Sequence, residues 1–354
     1  MANNRVFYAC QAVAIAPCFE AATNANTRAI HGLQSVGITT NFNLEQAFEL
    51  GQIQIYENIE GLPDVEVTLE KVLDGHPLIY HLASPGATVN SLVNRSKLRS
   101  CVALGIYPDD QDAVTGDAPA EVYMSGMYLS SVSYTIPADG TATESVTLVG
   151  NDKKWTQRTG LTGPTLMFAN TAAELPEDGD GKGTDAPKNL ASTGSGVVRR
   201  ENVDLDKTIL PAAIFGAVGT GAGNAKNAGG DVVVHIQNFT CSTDFGREDI
   251  LELGRKAPYY RAPNFPIEVT SEFEVIAVSG DFVNCAEGAA SNTNEETIKV
   301  VLGDDTSFDL GSKNRLSSVS YGGGDAAGGN ATITYSYSTF NDLTVSSPED
   351  PAGL

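Results

Sequence analysis

Leu129-Ser-Ser-Val-Ser-Tyr134 recurs without change as Leu316-Ser-Ser-Val-Ser-Tyr321, and this repeated word decides how the chain is read. A six-residue match alone is weak in a Ser-rich chain. A second match in the same order strengthens it. Glu49-Leu50-Gly51, Tyr56 and Pro63 keep their spacing in Glu252-Leu253-Gly254, Tyr259 and Pro266. Phe42 aligns with Phe245, and Glu66-Val67-Thr68 corresponds to Glu268-Val269-Thr270 after a one-residue slip. Self-similarity of this kind points to a duplicated unit. The upstream blocks lie 203 residues apart and the words 187, so the second copy is 16 residues shorter between them. The difference is read as a helix in the first copy over Ser91–Tyr107, with Ser91 as its cap. In the second copy Glu295–Leu302 alternates like a strand.

Around the words the pattern is that of long hairpins. Tyr128, Val132, Tyr134 and Ile136 fall on one face; Leu129, Ser131, Ser133 and Thr135 fall on the other. Pro137-Ala-Asp-Gly140 signals a turn, after which Val146 and Leu148 alternate with Ser145 and Thr147. In the second copy Ile333, Tyr335 and Tyr337 alternate with Thr332, Thr334, Ser336 and Ser338, and Gly322–Gly329 supplies the turn. The first strand runs from about Val122 to Ile136, far longer than the usual ~5–6 residues. A hairpin of that length overhangs its own core and needs a neighbour.

The expected fold is therefore mostly β: two tandem β-sandwich domains, each with a long hairpin and little helix. Residues 1–160 form the first and 206–354 the second, joined by a Gly/Asp-rich linker over 161–205. Composition agrees, since Gly, Ser, Thr, Asn and Asp are abundant and long runs of helix formers are scarce. The N-terminal run Val6–Ala16 superficially resembles a signal peptide. Pro17 stands just after the would-be cleavage site and Gln11 interrupts the apolar run, so the stretch reads as a buried strand. No segment approaches the ~20 apolar residues of a membrane helix.

The formal net charge is −22, which disfavours gripping nucleic-acid phosphate. Five cysteines at wide spacings with no C-x-x-C argue against a disulfide framework or a zinc site, and for folding in a reducing cytoplasm. His76 and His81 are five apart across Pro77, not a helical metal pair, and His31 and His235 stand alone. Asp178-Gly-Asp180-Gly-Lys182-Gly183 has a lysine where a calcium loop needs an oxygen ligand, and Asn189 at its closing position. Gly219–Gly223 lacks dinucleotide spacing. No hydrolase, zinc-protease or P-loop motif occurs. No catalytic, cofactor-binding or metal-binding residue is assigned, and no cofactor is expected.

Three stretches resemble the tail tube (major tail) proteins of long-tailed phages. They are Gly32–Asp74 with its Gly-Leu-Gln-Ser-Val-Gly-Ile-Thr-Thr, Gly126–Asp152 with the repeated word, and Ile250–Val275 with Leu-Glu-Leu-Gly-Arg-Lys and Pro-Ile-Glu-Val-Thr. The resemblance implies a non-enzymatic protein whose β-sandwiches form rings, with the long hairpins lining the lumen as a continuous barrel. Stacked rings make a tube through which DNA passes without tight binding. Most such proteins carry one tube domain and form hexameric rings. Two copies per chain imply rings of three chains with pseudo-sixfold symmetry. Further partners would be sheath, tape-measure, terminator and baseplate proteins, with no membrane. The place would be the virion tail, assembled in the host cytoplasm. Within this resemblance Ser131, Ser133, Thr135, Ser145, Thr147, Thr332, Thr334, Ser336 and Ser338 face the lumen. The alternatives are a tube-end or baseplate hub component, a tube protein of a phage-derived injection machine, or an all-β carbohydrate-active enzyme. The last would need aromatics along a groove, and Trp155 is the only tryptophan.

Overall fold

The computed structural model describes residues 5–18, 28–51, 53–84, 91–110, 113, 118, 120–157, 196–215, 223–224, 234–278, 280–281, 283, 294–324 and 329–348. The calcium-like loop at 178–183 and most of the glycine-rich stretch 219–223 lie outside the described residues. The chain is mostly β. In order the strands are β1 (Gln11–Pro17), β2 (Arg28–Ala29), β3 (Leu33–Phe48), β4 (Ile55–Val72), β5 (Arg99–Ile106), β6 (Ala120–Pro137), β7 (Thr143–Gly150) and β8 (Lys154–Gln157). They continue with β9 (Ile209–Leu210), β10 (Gly223–Asn224), β11 (Ile236–Asp244), β12 (Glu248–Ile250), β13 (Tyr260–Ala262) and β14 (Glu268–Ile276). The last five are β15 (Lys299–Val301), β16 (Ser307–Asp309), β17 (Arg315–Gly322), β18 (Thr332–Phe340) and β19 (Thr344–Ser346). Among the described residues there are also three four-residue α-helices, α1 (Ile79–Leu82), α2 (Leu92–Arg95) and α3 (Ala212–Phe215), and two 3-10 turns at Tyr8–Cys10 and Arg200–Asn202.

Period-two alternation builds the central sheet. Val65, Val67 and Leu69 of β4 are buried while Glu66, Thr68 and Glu70 are exposed. In β14 the buried set is Val269, Ser271, Phe273 and Val275, between exposed Glu268, Thr270 and Glu272. The strand β6 is 18 residues long and has different neighbours along its two halves, all in one large sheet. Its first half pairs with β5 and β8, its second half with β7 and β11. A second sheet, in the order β10-β9-β15-β16-β19, covers the apolar face of the first. Phe308 of β16 is the pin between the layers, with its ring 4.5 Å from Tyr134 and 6.5 Å from Phe239.

Three expectations change. Ser91–Tyr107 is not one helix: only Leu92–Arg95 is helical, and Arg99–Ile106 is a strand buried between β1 and β6. Cys18 and Cys101 form a disulfide across a separation of 83 residues, because the β1–β5 ladder sets Ala16 opposite Cys101. Leu129 does not join the hydroxyl face. A bulge between Leu129 and Ser131 turns it into the core, where it is fully buried. The N-terminal strand is as expected, with Val13 and Ile15 buried. Within residues 196–205, read as the end of a linker, Val198 is buried, donating to Leu73 O and accepting from Ala142 N, while 196, 197 and 199–202 are exposed.

Candidate functional site

Ladders join eight strands into one continuous antiparallel sheet in the order β3-β4-β7-β6-β11-β14-β18-β17. Its two halves, β3-β4-β7-β6 and β11-β14-β18-β17, have the same order of antiparallel neighbours. They also carry bulges at matching places. One bulge falls at Gln34 of β3 and at Gln237 of β11, 203 residues on. Another falls at Ser130 of β6 and at Ser317 of β17, 187 residues on. Walking from the repeated word strand by strand equates Leu148 with Tyr337, Val67 with Ser271, and Ile38 with Cys241. The walk ends on the 203-residue spacing that Phe42 and Phe245 share. The Glu-Val-Thr words sit two residues out of this step, because Val67 meets Ser271 and not Val269.

One face of the sheet is covered and the other is open. Val132, Tyr134, Val146, Ile333, Tyr335 and Tyr337 are all buried on the covered face. The nine hydroxyl residues lie opposite them. Ser131 pairs with Thr147 and Ser133 with Ser145. One row crosses six strands as Glu70, Ser145, Ser133, Ser242, Thr270 and Ser338. Thr135, Thr240, Glu272, Ser336 and Ser318 make another. Within the face Ser242 Oγ lies 2.9 Å from Thr270 Oγ1, and Ser336 Oγ donates to Glu272 Oε1 at 3.2 Å. The sequence reading missed the carboxylates that share this face: Glu66, Glu70, Asp244, Glu268, Glu272 and Glu274. The signal of the glutamates was present in the alternation of Glu66–Glu70 and Glu268–Glu274. Arg315, at the end of β17, is the one cation paired onto the face among the described residues.

Both outer edges of the sheet are free among the described residues: β3 pairs only with β4, and β17 only with β18. Each half also ends in a projecting hairpin tip. At these tips Leu50 and Leu253 are fully exposed, each followed by a glycine at positive φ, Gly51 at 96° and Gly254 at 87°. That backbone favours glycine and explains the shared Glu-Leu-Gly. Phe48, Ile53, Tyr56, Leu251 and Tyr259 add exposed apolar surface there.

Behind the sheet sits a polar cluster. Glu144, fully buried, accepts from the N–H groups of Ile79 and Tyr80 at 2.7 and 3.0 Å and from the Tyr134 hydroxyl at 3.1 Å. Burial raises its pKa, against the pull of Lys71 and these donors. Lys71, opposite Glu144 in the β4–β7 ladder, pairs with Asp74 at 3.2 Å and donates to Pro77 O at 3.1 Å. A buried ionisable cluster is where chemistry is sought first. Here two of the carboxylate contacts fix α1 to the sheet and the third ties it to Tyr134 of β6. Neither the depression of about 480 Å³ beside His235 nor that of about 580 Å³ over Ser131 and Ser242 reaches Glu144. Among the described residues no group of three or more His, Cys, Asp or Glu is placed to hold a metal ion. No helix among them is long and apolar enough to cross a membrane.

His31 stacks on His76 with ring centroids 4.1 Å apart. Burial first, then His76, pushes His31 down to about 4. Between pH 6.5 and 4 the folded chain therefore binds fewer protons than the unfolded one, and stability falls as pH drops through that window. The expected loss is about 2 kcal/mol after allowing for partial exposure. Urea midpoints at pH 7.5 and 4.5 check this. The His31→Asn variant should decline less than the parent, and an equal decline would remove His31 as the cause.

No family model matches the chain, and no curated protein is similar in sequence. Three solved structures superpose on 44% of it. They are the tube-terminating cap of an anti-feeding prophage (TM-score 0.31, 12% identity, 94% of that chain) and the six-fold symmetrised baseplate of an anti-feeding prophage (0.32, 11%, 98%). The third is the sheath-tube complex of an extracellular contractile injection system in its extended state (0.31, 12%, 93%). At that level of superposition no function passes from them to this chain.

Proposed function

We propose that the chain is a non-enzymatic building block whose two sheet halves are copies of one tube-forming unit. Copies of the chain polymerise into stacked rings that form a phage-type tail tube, a conduit for DNA. The continuous eight-stranded sheet carries this reading, covered on one face, open and hydroxyl-rich on the other, and free at both edges. The matching strand order and bulges of the halves support the duplication. A sheet with two free edges is a template for further pairing, and a closed ring removes the edges.

Three chains bring six halves, hence pseudo-sixfold symmetry. At ~4.8 Å per strand, three eight-stranded sheets span a circumference of roughly 115 Å, a backbone radius of about 18 Å before strand tilt widens it. That leaves an open channel inside. The nine hydroxyl residues and their neighbouring carboxylates would line it, offering phosphate almost no cation. The apolar hairpin tips would supply surface for ring stacking, and sheath, tape-measure, terminator and baseplate proteins would be the further partners. The location would be the virion tail.

Electron microscopy of the concentrated protein tests the reading. Rings of three chains, alone or stacked into tubes, are expected. Isolated rings that never stack would favour a tube-end or baseplate component. Rings of six chains would overturn the stoichiometry, and a protein that stays monomeric at all concentrations would overturn the tube.

A further inference from the structure

We propose that β17 of one chain adds to β3 of the next in a fixed register, with the internal β6–β11 ladder as its template. The inference rests on the tube reading and deepens it to named residue pairs. Inside the chain the seam sets Ser131 opposite Asp244, Val132 opposite Thr243, Ser133 opposite Ser242 and Tyr134 opposite Cys241. The strand β17 holds the place in its half that β6 holds in the other, and β3 the place of β11. The 187- and 203-residue spacings then fix the second seam. Ser318 meets Asn41, Val319 meets Thr40, Ser320 meets Thr39, and Tyr321 meets Ile38.

The free edges carry the marks of an uncovered seam. Tyr134 is fully buried at the internal seam, while Tyr321, at the matching place, is 54% exposed. Val132 is buried and Val319 only partly so. Across the seam Phe239 and Cys241 are buried, and their counterparts Val36 and Ile38 are partly open. Val36, Ile38 and Val319 already lean on the core from its rim. Leu316–Gly324 and Leu33–Asn43 contain no proline, lysine or carboxylate to blunt the edges, and the bulges at Ser317 and Gln34 match those at Ser130 and Gln237, which do not stop β6 pairing with β11. The open-face partners, Ser320 with Thr39 and Ser318 with Asn41, extend the hydroxyl face across the join without a charge. The two edges of one chain are seven strand spacings apart, about 34 Å, so they cannot meet within a chain.

Paired cysteines in the full chain test the register. Ser320→Cys with Thr39→Cys places two thiols within the Cα span of a disulfide. Under oxidation most of this protein should migrate as reducible multimers, with the ladder ending at a closed trimer. Either single variant and the parent should stay monomeric on the same gel. Ser320→Cys with Ser35→Cys, four residues out of step, should link only in traces. Linking of the offset pair in place of the aligned one would overturn the register. Rings in micrographs with neither pair linked would overturn the seam while leaving the tube standing. Neither rings nor links would overturn both. An aligned link whose ladder closes at another number would uphold the seam and correct the ring to that number.

Discussion

Glu144→Ala should cost about 4 kcal/mol and lower the melting temperature by roughly 5 °C. Three donors converge on this one carboxylate: the Ile79 and Tyr80 amides and the Tyr134 hydroxyl. All belong to residues that are fully buried, so none can turn to water when the acceptor goes. Lys71 would keep Asp74 but lose the opposing charge across the ladder. Breaking a buried charge network from one side is costly because the remaining groups stay buried and unmatched. Glu144→Gln keeps the volume and one acceptor oxygen. It presents an amide N–H₂ to a site that offers only donors, so it should cost about half as much. Thermal denaturation followed by circular dichroism measures both. If the alanine variant melts within 1 °C of the parent, the cluster is not what holds α1 to the sheet.

The covered half of this design was legible in the residues. Apolar and hydroxyl residues alternate through Ser131–Ile136 and Thr332–Ser338, and the two faces of the sheet follow that alternation. Even the buried Glu144 and Lys71 left a trace, since each continues the inward positions of its strand: Val146 and Leu148 beyond Glu144, Leu69 before Lys71. What escaped had no local signal. A bulge depends on the partner strand, so the inward turn of Leu129 is invisible in a period-two count. The disulfide joins residues that only the β1–β5 ladder brings together. Cys101-Val-Ala-Leu104 is a short apolar run, for which periodicity cannot separate helix from buried strand. The β6–β11 join, which makes one sheet of two, pairs segments more than 100 residues apart and is written nowhere in the local pattern.

The open face was legible as a face but not in its direction, and charge decides what it does. If the chain forms the proposed tube, Thr147→Lys with Thr334→Lys should convert an assembly that lets DNA pass into one that holds it. Thr147 lies between Thr68 and Ser131, and Thr334 between Glu274 and Ser320, both on the open side of the sheet. Two new lysines per chain put six in each ring of three. Rings stacked in a tube repeat that belt, so a threaded duplex would meet many cations in succession. Each phosphate neutralised adds about −0.9 to the slope of log affinity against log salt, so six contacts shift affinity by ~10³ between 50 and 200 mM. The flanking Glu70, Glu272 and Glu274 blunt this but do not cancel a repeated belt. Expected results are normal assembly, salt-sensitive retention of DNA by the variant tubes, and slowed delivery wherever delivery can be followed. Retention should vanish when each lysine is replaced by glutamine, which keeps a long polar side chain without the charge. Variant tubes that assemble and pass DNA at the parent rate would mean that these threonines look outward and the channel wall lies on another surface.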